Sequence, residues 1–165
     1  MRLVTSLLPL AIAIAAVAGV TWFLLTRGWA LGPWLLALLL FAHGFVHLVF
    51  LFPQPEPAAA TAGGLAYPFD MDRSWLIGAG LDGALARTAG TVLMVIVFVL
   101  SGLTALATVG LLVPAGWWAP LVVASALSSM LLLTLFFSPL FLLGYAIDLA
   151  LLWLVVGSVW SPTGA

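Results

Sequence analysis

Five runs of roughly twenty apolar residues, separated by short breaks, leave this chain almost no choice of environment. About 20 residues at about 1.5 Å rise each cross a hydrocarbon core about 30 Å thick, so each run has the length of one membrane-spanning helix. A β-barrel, the other spanning solution, needs segments of ~10 residues that alternate in and out, and nothing here alternates over that length. With 65% of its residues hydrophobic and 5% charged, the chain does not read as a soluble globular domain. Its 165 residues suit one domain, so the expectation is an all-α integral membrane bundle of five transmembrane helices spanning 1–165.

The five spans are expected at Leu3–Thr26, Pro33–Phe52, Thr88–Val113, Trp117–Phe137 and Pro139–Trp160. Small residues from Ala13 to Gly19 resemble a cleavage site, but the apolar run continues past them to Leu25, so it reads as an uncleaved helix rather than a signal peptide. The repeated prolines of Pro53-Gln54-Pro55-Glu56-Pro57 end the second segment. A loop then runs over 53–87. Its second half opens with Asp70 or Asp72 as an N-cap and places Ile77, Leu81 and Leu85 on one face. That pattern predicts a short interfacial helix, or a simple extension of the third span.

Arg2, Arg73 and Arg87 on one side against Arg27 on the other predict a multi-pass protein of the cytoplasmic membrane with its N-terminus inside. Trp29, Trp34, Trp117, Trp118 and Trp160 are expected at the outer interface, and Tyr67, Phe69 and Trp75 at the inner one. A net charge of −1 without a basic run excludes nucleic acid as an expected partner. The absence of cysteine removes disulfides, thiolate metal sites and cysteine nucleophiles.

Against this apolar background, His43, His47 and Asp148 are exceptions that need a reason. An ionisable group at bilayer depth costs about 2.5–3.5 kcal/mol on the most lenient scale, so it usually faces the bundle interior. His43 precedes Phe52 by nine residues, Asp148 follows Pro139 by nine, and Ser129 precedes Ser138 by nine, with Ser128 beside it. Each lies about 13 Å from the inner edge, so three helices set polar groups at one height. His47 and Tyr145 form a second rung, one turn from His43 and Asp148, and Gly144 leaves room for a neighbour. The expectation is one buried network of His43, His47, Tyr145, Asp148 and a serine.

Two histidines at i, i+4 plus a carboxylate form a candidate set for a divalent transition metal, zinc with an open position or iron in a facial triad. Bis-His haem ligation is disfavoured, because imidazoles on one face of one helix cannot reach opposite sides of a porphyrin. Without metal, His43, His47, Asp148 and Tyr145 form a candidate catalytic acid–base group, with Ser128, Ser129 and Gly144 as ligand-binding residues for a lipophilic small molecule. The plain alternative is packing. Interhelical hydrogen bonds average about 0.6 kcal/mol, and Ser125-x3-Ser129 is a small-x3-small pattern. On that reading the chain is a structural or accessory subunit contacting a partner membrane chain or a second copy.

His43-Gly44-Phe45-Val46-His47-Leu48, Arg73-Ser74-Trp75-Leu76, Phe136-Phe137-Ser138-Pro139 and Gly144-Tyr145-Ala146-Ile147-Asp148 resemble the short motifs of a loose group of small bacterial membrane proteins. That group pairs an early His-Gly-x-x-His-Leu helix with a late Gly-x-x-x-Asp or Gly-x-x-x-Asn helix. The resemblance covers roughly 40–155 and brings no activity with it. It implies that His43, His47 and Asp148 belong together. The leading functional expectation is therefore a buried His/His/Asp site that binds a metal or a small lipophilic ligand and exchanges protons.

Overall fold

A computed structural model describes residues 2–52, 71–138 and 141–162, with the side chains of 2–11 and 73 outside that description. The described elements are helical: α1 (Arg2–Thr26), α2 (Leu31–Val49), α3 (Trp75–Gly78), α4 (Gly83–Thr108), α5 (Trp118–Leu135) and α6 (Leu142–Val156). Three helices are long and apolar enough to cross a membrane: α2, α4, and α5 with the 3-10 turn before it, Ala115–Leu135. Helix α6 is shorter, at 15 residues, and so is the described apolar part of α1, Ile12–Thr26. Fifteen residues rise about 22 Å, less than a full hydrocarbon core, so five spans are not established.

The shortening of α6 has a local cause. Its backbone turns off where Gly157 donates to the Trp153 carbonyl and Val159 to that of Leu154, with Ser158 in the left-handed region at φ 48°. Helix α4 is displaced from its expected place at both ends. It starts at Gly83 because the Asp82 carboxylate accepts from the amides of Ala84 and Leu85, at 2.9 and 3.1 Å. It stops before Val113 because Gly110, at φ 67°, reverses the chain.

The expected interfacial helix is a single turn, α3, capped by Ser74. Gly80, at φ 96°, breaks the register before Leu81, so Ile77, Leu81 and Leu85 do not share one helical face. Of the two expected caps, Asp72 lies in a 3-10 turn and pairs with Arg87, and Asp70 lies outside the described residues, as do Tyr67 and Phe69. The link from α3 to the bundle is made by Ser74 and Trp75. The Ser74 hydroxyl donates to the Leu135 carbonyl at 2.7 Å and the Trp75 indole to that of Thr134 at 2.9 Å. These bonds satisfy carbonyls that the end of α5 would otherwise leave without partners.

Helix α2 packs on α4, α4 on α5 and α5 on α6, while α1 joins α2 through its C-terminal end, where Thr21, Leu24 and Leu25 are buried. Two apolar clusters result. One, toward the tryptophan-rich turns, contains Leu36, Leu40, Trp118, Val122, Leu151 and Leu154. The other, toward the charged turn of 71–87, contains Met94, Val97, Leu132, Leu133, Phe136 and Phe141. Trp118 departs from the expected interfacial ring. It is buried in the first cluster, edge-on to Trp160 at 5.3 Å, whereas Trp29, Trp34 and Trp117 are exposed.

Candidate functional site

Between the two apolar clusters lies a layer of buried polar side chains: His47, Ser101, Ser125, Ser129 and Asp148, with His43 at its edge. Close helix approach makes the layer. At Gly44 an added Cβ would fall 2.5 Å from the Ser101 Cβ, so only glycine lets α2 and α4 meet there. At Gly144 it would fall 2.8 Å from a Leu133 methyl, so that glycine seats α5 against α6. The neighbour that Gly144 makes room for in this structure is the core leucine Leu133.

The matched depths of the sequence translate into contact. His43 Nε2 lies 3.0 Å from Asp148 Oδ1, joining α2 to α6. The Ser129 hydroxyl of α5 lies 3.2 Å from His47 Nε2 and 3.5 Å from His43 Nε2. The imidazoles of His43 and His47 meet edge to face, with centroids 5.2 Å apart. Three helices thus share one chain of hydrogen bonds, Asp148–His43–Ser129–His47. Asp148 and Ser129 are fully buried, and the His43 side chain keeps 9% of its surface exposed.

Two expected members are elsewhere. The Tyr145 hydroxyl bonds Thr134 Oγ1 at 2.6 Å in an exposed position, toward the charged end. Tyr145 shares a face with Asp148 along α6, but one turn of rise carries it to the level where α5 presents Thr134 rather than Ser129. Ser128 is partly exposed and makes no hydrogen bond to His43, His47 or Asp148. One member was missed: Ser101, whose hydroxyl meets that of Ser125 at 2.8 Å with both residues buried. Its signal was the run Ser101, Thr104, Thr108, which marks one buried face of α4 at helical spacing.

The hydrogen-bond inventory of the chain is not closed. Among the described residues, Asp148 Oδ2 and His47 Nδ1 are buried without a partner, as is the Trp118 indole nitrogen in the first apolar cluster. A buried carboxylate oxygen or imidazole nitrogen without a partner costs about 1–3 kcal/mol, and more when charged. Asp148 and Ser129 both address the same nitrogen of His43, which rules out a relay of the serine-hydrolase kind, where acid and nucleophile take opposite nitrogens of the base. Among the described residues no group of three or more His, Asp or Glu is disposed to hold a metal ion. The zinc or iron set expected of His43, His47 and Asp148 therefore finds no support in the geometry. Nε2 of His43 is turned onto Asp148, and Nε2 of His47 onto Ser129.

No protein-family model, curated protein or solved structure matches the chain.

Proposed function

We propose that this is a multi-pass membrane protein whose bundle core holds a proton-exchange site made of Asp148, His43, Ser129 and His47. The observation that supports this reading is the pair of open valences: a carboxylate oxygen at one end of the hydrogen-bonded chain and an imidazole nitrogen at the other. Between them, a proton on His43 Nε2 faces both Asp148 Oδ1 and the Ser129 hydroxyl, and that hydroxyl can in turn donate to His47 Nε2. His43 links Asp148 to Ser129, Ser129 bridges the two imidazoles, and His47 offers the far terminal. In this role the site exchanges protons with a small lipophilic ligand reaching His43, the member that keeps some exposure. The arginine distribution supports a cytoplasmic membrane with the N-terminus inside.

A second reading has its own observation. Asp148 is fully buried, and Gly44 and Gly144 seat the surrounding helices closely, as a lock between helices of a structural or accessory subunit requires. Nitrogen NMR of histidine-labelled protein in lipid nanodiscs separates the two. For proton exchange, the imidazole signals of His43 or His47 change protonation as solvent pH is varied, and Asp148→Asn displaces that change in a chain that remains folded. Signals that ignore both pH and Asp148→Asn leave the lock.

A further inference from the structure

A groove of about 450 Å³ runs along the outer seam of α2 and α4, lined by Trp34, Phe41, Phe98, Gly102, Leu106 and Leu111 and almost wholly apolar. It lies on the far side of α2 from Asp148 and does not contain the proton site. Its upper end, at the tryptophan-rich turns, meets a recess lined by Pro33, Thr108, Gly110 and Pro162, and the two share Trp34 and Val109. We propose that the groove binds one acyl chain of a phospholipid from the leaflet at the tryptophan-rich end, with the polar end of the lipid at the recess.

Length decides between a lipid chain and a partner helix. From Phe98 to Val109, α4 rises about 17 Å, close to half of a hydrocarbon core about 30 Å thick. The groove closes at its lower end where Phe41 meets Phe98 edge-on at 5.8 Å. A spanning helix needs a furrow through both leaflets, whereas a single acyl chain needs one. Polarity runs the same way, from the recess with its turn backbone around Gly110 to a floor of aromatic rings. The surroundings of the upper end are also apolar. Leu112 is 94% exposed and held at φ 60°, a conformation leucine seldom adopts, and Trp29 and Trp117 stand exposed nearby in sequence to the same turns. No charged residue occurs from Thr108 to Trp118. That end of the bundle suits the lipid interface rather than water.

Gly102 gives the test. A Cβ there meets nothing within 4 Å, so a side chain fills groove and not core. Since attraction in lipid comes from van der Waals fit, filling the furrow removes the advantage over ordinary boundary lipid. The full chain is extracted from vesicles of phosphatidylethanolamine and phosphatidylglycerol in mild detergent and weighed by native mass spectrometry. The unaltered chain is expected to retain one phospholipid. Gly102→Leu lowers that occupancy by about tenfold or more. Gly19→Leu, placed in equally open space on α1, leaves it unchanged. Leu106→Trp fills the same furrow from one turn away and repeats the loss should Gly102→Leu prove unstable. No retained lipid in the unaltered chain, or equal occupancy in all variants, overturns the proposal. So does a dimer that Gly102→Leu dissolves, which would assign the groove to a second copy.

Discussion

Two polar clusters share the layer between the apolar halves of the bundle, and they are built on different terms. Ser101 and Ser125 join α4 to α5 by one 2.8 Å bond, each serving as the other's partner, and neither hydroxyl is left open. The Asp148–His43–Ser129–His47 chain joins three helices, yet ends in two buried atoms without partners among the described residues. Both clusters hold helices together. Only the second carries ionisable groups and unspent hydrogen-bonding capacity in the middle of an apolar bundle. A serine pair is what packing alone selects, because two small hydroxyls satisfy each other at little cost. The histidine–aspartate chain is an expensive way to lock helices, which is the reason for assigning it chemistry.

The comparison can be strained most by removing the carboxylate. Asp148→Leu leaves His43 facing an apolar wall, and a buried polar group that loses its partner costs about 1–3 kcal/mol, more when it is charged. Denaturation in detergent should show a loss of that order, and a loss near zero would demote the His43–Asp148 bond. Gly44→Ala comes next, since its methyl would sit 2.5 Å from the Ser101 Cβ and force α2 from α4. Overpacking of this kind costs about 1–3 kcal/mol, and it should disturb both clusters together. The serine pair should give least. A Ser101→Ala, Ser125→Ala double-mutant cycle is expected to return a coupling of about 0.6 kcal/mol, the usual value for hydrogen bonds between membrane helices. A coupling as large as the Asp148 effect would erase the distinction. At the charged end, Arg87→Ala breaks an ion pair exposed by 51% and 68%, so thermal stability should change by less than about 1 kcal/mol.

The contact between His43 and Asp148 was legible because depth can be counted. In antiparallel helices, equal numbers of residues from the same membrane face mean equal height, and the faces at i, i+4 were unambiguous for His43 and His47. Tyr145 shares Asp148's side of α6 but lies one turn of rise away, at the level where α5 presents Thr134 rather than Ser129. What depth cannot supply is rotation. Ser101 was legible only as part of a face, with Thr104 and Thr108 at helical spacing. One hydroxyl in an apolar run says nothing about which neighbour it faces until Gly44 and Ser125 are placed. The middles of the spans were readable from hydrophobicity, and their ends were not, since Asp82, Gly110 and the Gly157-Ser158 turn decide them locally. The loop before α4 was legible in part: α3 is a short helix and α4 extends back to Gly83, but Gly80 permits a backbone that breaks an otherwise regular apolar spacing.

Asp148→Asn tests the central claim most directly, because asparagine keeps the size and one hydrogen-bonding oxygen while removing the ionisable carboxyl. The measurement is histidine nitrogen NMR across a pH series in nanodiscs, made on the unaltered chain and on Asp148→Asn after both give matching helical content and a similar unfolding midpoint. The account predicts a folded Asp148→Asn chain in which the protonation change of His43 is lost or clearly displaced, with His47 following through Ser129. A folded Asp148→Asn chain whose imidazoles behave as in the unaltered protein would contradict it and reduce Asp148 to packing.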